Sequence, residues 1–359
     1  MKAEFPIWNP WLWPVLAATY TGEAALRTLN GSLTAVPVEP AGPEPAWTTL
    51  HTVRLELPTL RVREFSYQAG GVPTLVVAPF ALHGAALADF APGHSLVESL
   101  LSEGLVSVCV VECKSALPSM RFLSIDNYLA DLAVVVQDLG GLVNLIGLCQ
   151  GGWLSLMFAA RFPQMIHSIA LAGSPIDLAA APSSMVTSTC ATAPEVFEGL
   201  VRSGDGLIVG QRMLDLWGVV VPDRAATAEV LQVGQDALED LFERYRQWHQ
   251  WTVNLPGIFY LEVVEHLFRR NEFARGEFQT LGRQADLSSI KAPLFLLAGE
   301  RDDVTPPAQL LAVRRLVGTP DRQIRTTVAR CGHLSLFMGK RTLRQEWRQI
   351  ARHMRSLSR

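Results

Sequence analysis

An α/β fold, with a mostly parallel central sheet, helices on both faces and a helical insertion, is what the amino-acid sequence predicts. The first observation is a set of short, continuous apolar runs: Thr74 to Ala78, Val106 to Val111, Leu142 to Leu148, Ile166 to Ala172 and Pro293 to Ala298. Strands buried on both faces read this way, and burial on both faces is the property of parallel sheets. The second is that helical stretches, Ser95 to Ser102, Asp126 to Leu139 and Gly152 to Arg161, fall between several of these runs. The third is a lapse of strand pattern from Ser174 to about Lys291, where the spacing turns helical.

Taken in order, residues 1–46 form an N-terminal arm and linker. Phe5 to Thr19 carries three Trp and three Pro, and Val36 to Ala46 is a Pro-rich, extended connector. The prolines and tryptophans suit neither a signal peptide nor a membrane span. The arm is expected to pack on the domain surface, with contact to a hydrophobic particle or membrane as the second reading. Thr52 to Leu57 and Leu60 to Phe65 alternate apolar and polar residues, as in a hairpin with one face in water. Residues 47–173 then form the first part of the core, 174–290 the insertion and 291–359 the second part. The insertion carries helical patterns over Ala226 to Trp251 and Ile258 to Arg270, with Trp217, Trp248 and Trp251. A short strand near Arg325 to Val328 and a helix from Arg341 to Arg355 close the chain. Antiparallel strands first, then a parallel sheet, is the order of the α/β-hydrolase fold.

Composition narrows the function. With 31 Lys and Arg against 34 Asp and Glu, the formal charge is −3 and no basic run offers a footprint for nucleic acid. Five cysteines in 359 residues make no disulfide framework, and an odd count leaves one free. A reduced, cytoplasmic compartment follows as the default. Cys109, Cys113 and Cys190 are expected to pack as small hydrophobes, and so is Cys331, although it lies two residues before a candidate base and so near the expected site. No CxxC pair or HExxH motif argues for a metal, and no bound cofactor is implied.

The chemistry centres on Gly147-Leu148-Cys149-Gln150-Gly151-Gly152, which follows an apolar strand and opens a helix. That is the context of a nucleophile elbow, a strained turn that lifts the nucleophile above the sheet. The start of a helix also favours a thiolate. Gly299-Glu300-Arg301-Asp302, with Pro306 beyond, puts a carboxylate at a strand end, and the GxxDxxxP spacing prefers Asp302 to the adjacent Asp303. Gly332-His333 follows the last strand and supplies the base, oriented by that carboxylate. The other histidines named, His51, His94, His167, His249, His266 and His353, are read as structural. An oxyanion hole needs two backbone N–H groups, here expected from Gln150 and from Phe80 or Ala81 in the loop Pro79 to Gly84. A cysteine nucleophile inclines the reading towards acyl transfer from thioesters, since one thioester exchanges for another at little cost.

At these residues the chain resembles the polyhydroxyalkanoate synthases, especially the short type that works with a second subunit. Val143 to Pro163 (VNLIGLCQGGWLSLMFAARFP) is similar to that family's nucleophile region, and Ser174 to Leu178 (SPIDL) follows suit. Phe90 to Gly104, Ser124 to Leu132, Asn271 to Phe278 and Ala285 to Pro307 also match, so the likeness runs from about Leu75 to the C-terminus. Asp303 stands where many members have His, and Glu112-Cys113-Lys114 stands where a Trp is common. The resemblance implies a Cys149-His333-Asp302 acyltransferase that polymerises short 3-hydroxyacyl-coenzyme A thioesters, the thioester being substrate and not cofactor. It further implies a homodimer or a partner synthase subunit, and contact with a polyester granule. The competing expectation keeps the same three residues but uses water as acceptor, as in the related intracellular polyhydroxyalkanoate depolymerases, a thioesterase or an esterase. A non-enzymatic granule protein would require a broken set of residues.

Overall fold

The computed structural model describes residues 43–66, 70–212 and 221–357. The Trp-rich arm and Trp217 lie outside the described residues. Eight strands form the main sheet: β1 (Thr52–Glu56), β2 (Leu60–Glu64), β3 (Thr74–Val77), β4 (Val108–Cys113), β5 (Val143–Leu148), β6 (Ile166–Ala172), β7 (Leu294–Gly299) and β8 (Ile324–Ala329). Their order across the sheet is β1-β2-β4-β3-β5-β6-β7-β8. The pairs β1–β2 and β2–β4 are antiparallel, and every other pair is parallel.

The apolar runs explain this arrangement. All residues of β3, β5 and β7 are buried, because helices cover both faces. β1 is the exception: as an edge strand it exposes Thr52, Val53, Arg54 and Glu56. The hairpin therefore does not share one wet face between its strands. β2, one place further in, buries Leu60, Val62 and Arg63. β4 starts two residues later than the apolar run suggests, because the register pairs Thr74 with Val108 and Leu60 with Cys113. Parallel pairing brings the carboxyl ends of β3, β5, β6, β7 and β8 to one edge, where α/β sheets place their ligands.

Three helices pack on the first half: α1 (Leu96–Ser102), α2 (Ile125–Asp138) and α3 (Gln150–Arg161). The Ser95 side chain caps α1 by accepting from the Glu98 N–H at 2.9 Å, and Ser124 with Asn127 closes a capping box on α2. α3 is buried over its first eleven residues, since it runs directly beneath the chain segments that follow β6.

Between β6 and β7 the chain forms α4 (Ser184–Ala191), α5 (Pro194–Ser203), α6 (Arg224–Leu231), α7 (Glu239–Gln250) and α8 (Gly257–Glu262), the last continuing as a π-helical turn over Val263–Arg269. The single helix expected over Ala226 to Trp251 is thus two. Gln232 breaks it by adopting a left-handed conformation, φ 57°, with Gly234 soon after. Its carboxamide oxygen accepts from the N–H groups of Arg341 and Thr342, at 2.9 and 3.0 Å, and so caps the C-terminal helical segment. That segment runs as Lys340–Thr342, a π-helical turn Leu343–Trp347, and α9 (Arg348–Leu357). No helix among the described residues is long and apolar enough to cross a membrane. Cys109 and Cys331 are buried as expected, but Cys190 is exposed on α4, because that helix buries only Met185 and Thr189.

Candidate active site

Cys149 sits between β5 and α3 with φ 48° and ψ −120°, a conformation L-residues adopt only under strain. Its N–H donates to the Ala172 carbonyl at 2.9 Å, tying the turn to the end of β6. The flanking glycines are steric necessities. A Cβ on Gly147 would run into the Gly152 Cα and the Gly151 carbonyl, and one on Gly151 would strike the Val77 carbonyl. The elbow is therefore wedged against the end of β3, and Cys149 is only 3% exposed.

The loops after β7 and β8 bring the other two groups. The Glu300 N–H donates to the Ala329 carbonyl at 2.8 Å and the Arg301 N–H to the Cys331 carbonyl at 3.0 Å, so the two loops are laced together. Asp302 is buried and Asp303 is exposed. One Asp302 carboxylate oxygen accepts from the N–H groups of Val304 and Thr305, at 3.0 and 2.8 Å; the other faces His333 Nδ1 at 2.7 Å. His333 packs edge-on against Phe337, with ring centroids 5.2 Å apart, and lies beside Gly173 at the end of β6. The structure thus brings Cys149, His333 and Asp302 together from three loops at one sheet edge.

Electrostatics couple the three. Burial works to lower the His333 pKa, but the Asp302 charge, the Cys149 sulfur and hydrogen bonds to both outweigh it, and the net value rises to about 10. The imidazolium is the favoured form at neutral pH. Burial pushes Cys331 up to about 11, which leaves that neighbour a neutral packing thiol.

Of the expected oxyanion groups, Gln150 is the first residue of α3 and its side chain is buried. The loop expected to supply the second group, Pro79–Gly84, starts close by, since the Val77 and Ala78 carbonyls just before it abut Gly151. Phe80 and Ala81 are both buried, and the Phe80 ring packs on Tyr128 and Phe259 at centroid distances of 5.0 and 5.2 Å. His94 and His266 make structural bonds, to the Met338 carbonyl and to Glu272. Sequence reasoning missed what lies behind the oxyanion loop: His83 is buried between Trp248 and His249, at 4.7 and 4.9 Å. Only its place in that loop could have pointed to it. Open depressions of about 350 Å³ near His94 and Lys340 and about 450 Å³ near Arg275 and Arg315 share no residue with this site.

Comparison with known proteins bears on the family resemblance and the fold. The chain is 24% identical over 299 residues to the Poly(3-hydroxyalkanoate) polymerase subunit PhaC of Haloferax mediterranei, covering 78% of this chain and 58% of that protein. It is 25% identical over 256 residues to the protein of the same name from Synechocystis, covering 67% of each. It resembles the polyhydroxyalkanoate synthases. The model of the PHB de-polymerase C-terminus family also matches, over residues 225–357. The chain spans about three fifths of the length of the Haloferax relative and of its Haloarcula marismortui counterpart. Among solved structures, a monoacylglycerol lipase from Paleococcus ferrophilus superposes with a TM-score of 0.52 at 18% identity, covering 83% of this chain and 99% of that one. The Bacillus megaterium epoxide hydrolase gives 0.54 at 13% identity, covering 83% and 97%. The fold is that of the α/β hydrolases.

Proposed function

We propose that the chain is a Cys-His-Asp acyltransferase that joins short 3-hydroxyacyl units, taken from coenzyme A thioesters, into a polyester. The observation that carries the reading is a cysteine at the elbow, facing a histidine that a buried carboxylate holds protonated. The Cys149 thiolate adds to the thioester carbonyl, and backbone N–H groups at Gln150 and at Phe80 or Ala81 hold the oxyanion. The carbon–sulfur bond to coenzyme A breaks, and the departing thiolate takes the His333 proton. His333, now neutral, accepts the proton of an incoming 3-hydroxyl group. That oxygen attacks the acyl-cysteine, an ester forms, and the Cys149 thiolate is released. Asp302 fixes the ring so that Nε2 faces the reaction.

The names of the relatives support polyester synthesis, and the word subunit in those names supports a partner synthase subunit. The buried site supports an acyl acceptor in place of bulk water. Work in the cytoplasm at a polyester granule surface belongs to the same reading. The test incubates 3-hydroxybutyryl-coenzyme A with the wild type and with Cys149→Ala, following free thiol and acyl products. Thiol release with oligoester, absent from the variant, is the expected result. Release with only the free hydroxy acid would make the chain a hydrolase, and no release would reject this thioester.

A further inference from the structure

The segment Trp248 to Val253, within the insertion, grips the Pro79–Gly84 loop along most of its length. The Val253 N–H donates to the Leu82 carbonyl at 2.9 Å, and Thr252 forms a β-bridge with His83. The Trp248 indole N–H donates to the Gly84 carbonyl at 3.2 Å. The His83 ring is packed, tilted, between those of Trp248 and His249. Gly84 leaves space for Trp251, whose ring carbon lies 2.5 Å from where a Cβ would stand. At the other end of the loop, Phe80 rests on Phe259 of α8. Every one of these contacts joins the insertion to the stretch expected to supply an oxyanion N–H. Immediately before this stretch, the Val77 and Ala78 carbonyls abut the elbow at Gly151.

We propose that Trp248 and His83 are positioning residues for the oxyanion hole, through which the seated insertion fixes the Phe80–Ala81 amides relative to Cys149. The proposal rests on the acyl-transfer reading of Cys149. The hole is then complete only while the 248–253 segment is docked, and the same movement that opened the insertion would disassemble it. This ties transition-state stabilisation to the docked state, so nucleophile and base persist when the hole does not. His83 is held neutral by burial, with the nearby His249 adding to the effect, so the grip involves no buried charge.

The test uses the full chain, with Trp248→Phe, which keeps a ring but removes the donor, and His83→Ala, which removes the ring packed between Trp248 and His249. Three quantities are read: turnover of 3-hydroxybutyryl-coenzyme A, alkylation of Cys149 by iodoacetamide followed on its own peptide, and amide hydrogen exchange over residues 79–84. Both variants should exchange faster in that loop with β3 and α3 unchanged, lose about tenfold in kcat at constant KM, and alkylate at the wild-type rate. Alkylation passes through no oxyanion, so a fall in alkylation alongside kcat would mean general damage and overturn the proposal. Unchanged loop exchange would overturn it as well. A wild type inert towards the thioester would instead sink the reading of Cys149, and with it the catalytic half of the proposal, whatever the exchange data show.

Discussion

The elbow and the insertion lie a few ångströms apart and are built on opposite terms. At the elbow the constraints come from the sheet itself: a fully buried strand, glycines pressed on the backbone of the elbow and of β3, and an N–H tied to the end of β6. In the insertion the shape is set by distant partners. Gln232 ends α6 because its side chain caps a helix more than a hundred residues away, and Trp248 ends up beside Gly84 at a separation of 164 residues. The lesson is that Cys149 is fixed by the sheet, whereas the Pro79–Gly84 loop beside it is held by contacts with the insertion.

The sharpest way to break that comparison is at the nucleophile. Cys149→Ala should abolish thioester turnover, by about a millionfold if the three residues act as a unit, while leaving the melting temperature near wild type. Circular dichroism and a thiol-release assay check both halves. Asp302→Asn should cost about a thousandfold to ten-thousandfold in kcat, because the ring loses its fixed tautomer, and the crystal structure of the variant should show His333 in its wild-type position. Gly151→Ala tests the elbow's dependence on close backbone approach. Its Cβ would strike the Val77 and Ala78 carbonyls, so unfolding in urea should reveal a loss of about 3 kcal/mol.

His333 makes the fourth test, through pH. Its pKa is raised from 6.5 to about 10 in the folded chain, so the protonated ring stabilises the fold fully below pH 6.5. That contribution should fade as pH climbs through 10. Melting curves of the wild type and His333→Gln should therefore converge between those limits, and Cys149→Ala should lose the contribution at lower pH because the sulfur no longer helps hold the proton. The smallest expected effect lies in the insertion. Gln232→Ala leaves the Arg341 and Thr342 N–H groups without their acceptor and should cost about 1 to 2 kcal/mol, read by chemical denaturation, with little change in Cys149 alkylation.

Most of the sheet was legible because burial on both faces leaves a mark in composition: the TLVVA, LVNLIGL and PLFLLA runs are strands wherever they pair. The hairpin was legible in kind but not in burial, since alternation shows that a strand has two faces and not that β1 would be the edge. Asp302 was separable from Asp303 by its spacing to Gly299 and Pro306, a local property of the turn. Cys190 was not legible, because a cysteine in a helical stretch carries no mark of which helix face meets the core.

By itself the sequence determined the α/β order, the glycines of the elbow, and the chain order of nucleophile, carboxylate and histidine. Each of these rests on backbone sterics or on period within a few residues, where the chain is its own environment. Only the tertiary structure decided the break at Gln232, the shift in His333 ionisation and the burial of His83 against the Trp248 ring. Those depend on groups tens to hundreds of residues apart, whose hydrogen bonds and charges act through space and leave no periodic trace along the chain.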